Sequence, residues 1–124
     1  MSLAVELASL RAQIAASGDA VFLLSVRDGA RPHAVSAVVT WDGDELVTTA
    51  GSRSSQNIGR APAVSLLWPA AGQDYSLIVD GTARVADGRL RITPTHAVLH
   101  RSVLAAAPSG HEDGDDPRCK PVLD

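Results

Sequence analysis

The chain is 124 residues long, which suits one domain with its own core. Hydrophobic residues make up 45% and charged residues 20%, a globular composition rather than a disordered one. A net charge of −3 and only 3% aromatic residues argue against nucleic-acid binding, which relies on basic surfaces and stacking rings. No apolar run approaches the roughly 20 residues of a membrane span. Cys119 is the only cysteine, so no internal disulfide can form, which fits a reducing compartment. Glu6 and Arg11 interrupt the apolar residues at the N-terminus, unlike a secretory signal. The expectation is a cytoplasmic protein with no membrane or nucleic-acid partner.

Leu3, Leu7, Leu10 and Ile14 recur at helical steps, with Ser2 placed to cap the start and Gly18 just past the end. A helix covering a sheet is expected there. Val21 to Val26 reads as a first strand, closed by the Asp28-Gly29 turn signal. Arg31-Pro32-His33 restarts the chain into a second strand over Ala34 to Trp41. Asp42-Gly43-Asp44 turns it, and Leu46 to Thr49 is a third strand. A short helix around Ser54 to Arg60 comes next, then a fourth strand over Ala63 to Trp68. Tyr75 to Val85 is a long fifth strand, with a bulge expected at Asp80-Gly81. Asp87-Gly88 turns into a sixth strand over Leu90 to about Leu99, where Pro94 should break the ladder or sit on an edge.

The character changes in residues 105–124, where Pro108, Gly110, Glu112, Asp113, Asp115 and Asp116 stand among few apolar residues. Such a segment cannot bury enough apolar surface to offset its ordering entropy, so a flexible tail is expected after a domain of residues 1–104. Six short strands joined mostly by hairpins suggest a small antiparallel barrel or sandwich.

The segment from Val47 to Pro62 carries the chemistry. A strand breaks at Gly51 and enters a helix through Ser52, Arg53, Ser54, Ser55 and Gln56, with Asn57 behind them. Backbone N–H groups at a helix start are unpaired and the helix dipole favours an anion there. Arginine adds a fork of donors matched to phosphate oxygens. The plainer alternative is a strand–helix junction whose serines only cap.

In this layout the chain resembles the pyridoxamine 5′-phosphate oxidase-like family, the flavin-binding split β-barrels. Asp28 to His33 resembles the family's first hairpin, and Trp41 to Asp44 followed by Leu46 its second. Gly51-Ser52-Arg53-Ser54, with Asn57 and Pro62, is similar to the oxidases' phosphate-binding turn. Val64 to Pro69 and Tyr75 to Ala83 resemble the two strands that follow. The resemblance implies a mainly β fold with flanking helices: a six-stranded antiparallel split β-barrel, an N-terminal helix, and a short helix between the third and fourth strands. It also implies a homodimer with flavin mononucleotide (FMN) at the subunit interface. Thr48 and Thr49 would contact the cofactor from the third strand, Ser52, Arg53 and Ser54 would hold its phosphate, and Asn57 would belong to the same turn. Ser76 would reach the ring from the partner subunit, and backbone groups of Val35 to Val38 would face the ring.

The departures shape what is expected. Ser54 stands where the oxidases usually carry a lysine, Ala34 to Val39 lacks their charges, and Ser76 replaces a glutamine. The substrate-binding C-terminal segment of true pyridoxamine phosphate oxidases has no counterpart before Asp124, so vitamin B6 oxidation is not expected. The reading is an FMN-dependent oxidoreductase whose substrate is unknown. A deazaflavin coenzyme is the alternative cofactor, and a non-catalytic flavin- or tetrapyrrole-binding module the alternative function.

Other polar residues read more simply. His33 is expected at the surface or an interface, and Trp41 and Trp68 in the core or a dimer contact. His96 and His100 share a strand face, with only His111 and Cys119 in the tail as further ligands, so no metal site is expected. No catalytic side-chain constellation can be placed.

Overall fold

Alternating side chains build strands wherever one face can be buried. The computed structural model describes residues 2–49, 51–70 and 74–101, and the tail over residues 105–124, with His111 and Cys119, lies outside them. The strands are β1 (Ser2–Ala4), β2 (Val21–Arg27), β3 (Arg31–Ala37), β4 (Thr40–Asp42), β5 (Glu45–Thr49), β6 (Ala63–Trp68), β7 (Tyr75–Ala86) and β8 (Arg89–Arg101). The helices are α1 (Leu10–Ser17) and α2 (Ser52–Arg60). One antiparallel sheet runs in the order β3-β2-β6-β7-β8-β5-β4, with β1 added to β8.

The sheet has eight strands where six were expected. One extra strand comes from the N-terminus. Ser2 to Ala4 pairs with His100 to Val98 instead of starting a helix, and the α-helix begins only at Leu10. β5 covers β8 no further than Ile92, which leaves an open edge beyond it that β1 fills. Leu3 and Leu7 are accordingly 45% and 49% exposed, and of the expected apolar face Leu10 is buried and Ile14 packs against the core.

The other extra strand divides the expected Ala34 to Trp41 run. It breaks at Val38-Val39, and β3 and β4 end at opposite edges of the sheet. The ladder is therefore not closed. Two linking residues span at most about 11 Å, three Cα steps of 3.8 Å. Neighbouring strands lie about 4.8 Å apart, so the sheet must curl until its two edges nearly meet. The result is barrel-like with a seam between β3 and the β4–β5 side.

The curl encloses Leu23, Leu46, Leu66, Leu77, Val79, Leu90 and Ile92, all buried, and Trp68 fills the largest volume among the fully buried side chains. Each such side chain stabilises the fold by about 1.5–3 kcal/mol relative to exposure. The irregularity expected at Asp80-Gly81 is present. Asp80 faces His96 and Gly81 faces Pro94, so Thr95 is the extra residue. A Cβ on Gly81 would lie 2.5 Å from the Thr93 carbonyl oxygen, so only glycine fits. Pro94 sits as expected, beside the irregularity and on a locally open edge of β8. It falls between the stretches of β8 paired to β5 and to β1, where a missing N–H breaks no ladder bond on that side.

The outer face carries an apolar row in register across four strands: Phe22, Leu67, Ile78 and Val98. Phe22 is 39% exposed and the other three are half-buried. Among the described residues no helix is long and apolar enough to cross a membrane.

Candidate functional site

β5 ends at Thr49 and α2 starts at Ser52, as the break at Gly51 predicts. Gly51 occupies the N-cap position in extended conformation and brings no side chain to the cap. The first turn closes when the Ser55 N–H donates to the Gly51 carbonyl at 3.0 Å. The N–H groups of Ser52, Arg53 and Ser54 precede that bond, so they have no carbonyl within the helix to donate to. Among the described residues no serine hydroxyl caps this end of the helix, and the positive end of the helix dipole lies at the junction.

A cleft of about 470 Å³ opens at this point, within the range of small-molecule sites. One wall is β3, through His33, Val35, Ser36 and Ala37. The other is the end of β5 and the start of α2, through Thr49 and Gly51 to Ser54. The cleft is thus the seam of the open barrel. Among the described residues β3 pairs only with β2, so the backbone groups along its other edge have no ladder partner there and are available to a ligand. The seam brings together the turn expected to hold a phosphate and the strand expected to face a ring, which are well separated along the chain.

The residues singled out from the sequence divide between this cleft and its supports. Thr49, Ser52, Arg53 and Ser54 line it. Thr48 does not: it is 3% exposed, points to the other face of β5, and its Oγ1 is buried without a partner among the described residues. Asn57 braces α2 against the sheet. Its Nδ2 donates to the Ser25 hydroxyl at 3.1 Å, its Oδ1 accepts from Arg60 at 3.4 Å, and both Asn57 and Ser25 are buried. Ser76 lies on the outer face of β7, where its hydroxyl accepts the Ala70 N–H at 3.2 Å, and it does not line the cleft of its own chain.

His33, expected at the surface or an interface, is half-buried. It lines the cleft, and its Nδ1 is buried without a hydrogen-bond partner among the described residues. The signal was the alternation of His33, Val35 and Ala37, whose parity matches that of the buried Leu23 through the Leu23–Val35 pairing. Trp68 is core, and the Trp41 ring lies under the Arg11 guanidinium, 4.4 Å from carbon to centroid. His96 and His100 have separate partners, Asp80 at 3.5 Å and the Ser2 hydroxyl at 3.2 Å.

No protein-family model matches the chain. Uncharacterized proteins of Mycobacterium bovis and Mycobacterium tuberculosis are each 33% identical over 106 residues, covering 71% of this chain and 75% of their own. Among solved structures, an F420 reductase superposes with a TM-score of 0.54 at 20% identity, over 64% of this chain and 88% of its own. A protein of the pyridoxinephosphate oxidase family from Clostridium acetobutylicum, related to a general stress protein, gives 0.61 at 12% identity, over 78% and 91%. The FAD binding protein from Mycobacterium smegmatis gives 0.56 at 16% identity, over 82% and 100%. The chain therefore belongs to one family with the two uncharacterized mycobacterial proteins, and its fold is that of the pyridoxamine 5′-phosphate oxidase-like structures.

Proposed function

We propose that the chain binds a flavin or deazaflavin cofactor in the seam and acts as an oxidoreductase, with FMN the simplest cofactor. The observation that carries this reading is the uncapped start of α2 facing the unpaired edge of β3 across one cleft. The residues fit such a group. Ser52, Arg53 and Ser54 supply N–H groups, hydroxyls and one guanidinium to a phosphate. The β3 edge supplies backbone donors and acceptors to a flat polar ring, and the orphaned His33 Nδ1 can bond to it. Val35 and Ala37 provide apolar contact. When bound, the cofactor supplies hydride or electron transfer; the protein's part is to hold it, orient it and exclude water. That division of labour asks no acid, base or nucleophile of the cleft's own side chains.

The same proposal includes a homodimer. The row of Phe22, Leu67, Ile78 and Val98 is a contiguous apolar patch of the kind that marks an interface. Ser76 lies on the same face of β7 as Ile78, so a partner packed there is within its reach.

The test is the absorbance and mass of what co-purifies, followed by titration with FMN and with a deazaflavin coenzyme. Arg53→Ala is expected to weaken binding about tenfold to a hundredfold, the loss of one charge-assisted hydrogen-bond donor. Wild-type protein that binds neither of these nor FAD at micromolar concentration overturns the reading. Turnover with a reductant and an electron acceptor distinguishes an enzyme from a non-catalytic binding module.

A further inference from the structure

A second cleft, of about 310 Å³, lies against the first and shares Arg53 with it. Arg27, Arg31, Arg53 and Arg60 line it, with Gln56 and the single carboxylate Asp28. The arrangement is unusual for a chain of net charge −3. Arg27 and Arg31 stand directly opposite each other where the β2–β3 hairpin closes. Like charges in that register destabilise a sheet. Arg53 and Arg60 are seven residues apart on α2, which places them on one face of the helix, two turns apart. Asp28 is committed to Arg60 at 3.1 Å. Among the described residues Arg27, Arg31 and Arg53 form no ion pair. Unpaired like charges held close together oppose folding. An anion placed between them removes that cost.

We infer that this arginine cleft is a second anion subsite continuous with the turn at Ser52–Ser54. The ligand of this chain therefore carries two anionic groups in series, as the diphosphate of a dinucleotide does. The inference rests on the cofactor reading above for its first subsite, and it selects a diphosphate-bearing flavin over the mononucleotide. Arg27 and Arg31 on the hairpin and Arg53 on α2 would be donors to the extended anion, while Arg60 stays paired with Asp28.

The experiment compares wild type with the double variant Arg27→Gln/Arg31→Gln, which leaves Ser52, Arg53 and Ser54 intact. Each is titrated with riboflavin, FMN, FAD, inorganic phosphate and inorganic pyrophosphate. The expected result is that wild type prefers FAD to FMN and pyrophosphate to phosphate by about tenfold or more, the effect of one added charge-assisted contact. The double variant loses both preferences, keeps its FMN affinity, and without ligand melts no lower than wild type because a repulsion has been removed. Equal binding of FMN and FAD by wild type, unchanged in the variant, overturns the subsite and leaves the flavin reading standing. Pyrophosphate binding that the variant loses, in a protein that binds no flavin, upholds the subsite and removes the flavin reading. A variant that melts well below wild type marks the arginines as structural and overturns the inference.

Discussion

Gly81 and Asn57 show how a single side chain, or the lack of one, fixes the packing around it. Gly81 is not held by a left-handed backbone; it is held by the Thr93 carbonyl and the Ile92 side chain, which occupy the space of a Cβ. Gly81→Ala is expected to cost about 1–3 kcal/mol, the usual penalty of overpacking, read as a lower denaturant midpoint. A midpoint unchanged from wild type would show that β8 yields there. Asn57 fastens α2 to β2 through the buried Ser25 hydroxyl. Asn57→Ala strands that hydroxyl at a cost of about 1–3 kcal/mol. The expected signature is a larger fall in stability than in cofactor affinity, measured by urea unfolding and by titration; the reverse order would make Asn57 a ligand. Ser54 is buried beside it, and only its position in the first turn gives it access to the cleft.

The strands on the other side of the seam are tied by charge. The Glu45 carboxylate accepts from both Arg84 and Arg91 at 3.2 Å, and Arg91 also donates to Asp42 at 2.9 Å. These contacts join β4, β5, β7 and β8 across the outer face. Burial by itself would raise the Glu45 carboxyl, but the hydrogen bond from Arg91, then the charge and hydrogen bond of Arg84, outweigh it and hold the carboxyl below the usual glutamate range. The hydrogen bond to Asp42, followed by that to Glu45, raises Arg91 in turn. A depressed carboxyl contributes its stability in full above the unfolded-state value of about 4.3 and loses it as pH falls through the folded-state value. Glu45→Gln is therefore expected to lower stability near neutral pH, with the gap to wild type closing in the acid limb below about pH 4.3. A gap that is constant from neutral to acid pH would show that the network adds nothing through ionisation.

At the scale of the whole molecule the seam is the consequence of two residues. Val38 and Val39 join strands that lie at opposite edges of the sheet, so the sheet must curl, and the curl leaves β3 with one unpaired edge beside α2. In the proposed homodimer the apolar row on the outside is where a second copy would pack. Ile78→Glu is expected to give a monomer by light scattering and to weaken cofactor binding with it. A wild type that is monomeric at micromolar concentration removes the shared site.

Local chemistry was legible in the chain itself. Gly51 followed by Ser52, Arg53 and Ser54 marked the helix start that lines the cleft, Asp80-Gly81 marked the irregularity in the long hairpin, and Asp28-Gly29 the turn, because each depends on a few neighbouring residues. Three features depended on partners far away in sequence. Ser2 to Ala4 follows a helical period yet pairs with β8, because the open edge it fills is made more than ninety residues later. The run from Ala34 to Trp41 alternates smoothly, and only the curvature of the sheet decides that it belongs to two edges. Arg27, Arg31, Arg53 and Arg60 look like scattered surface charges until the hairpin and α2 are brought together. Periodicity records which face of an element is buried; which elements meet is decided by the packing of the closed core, and that is where both clefts arise.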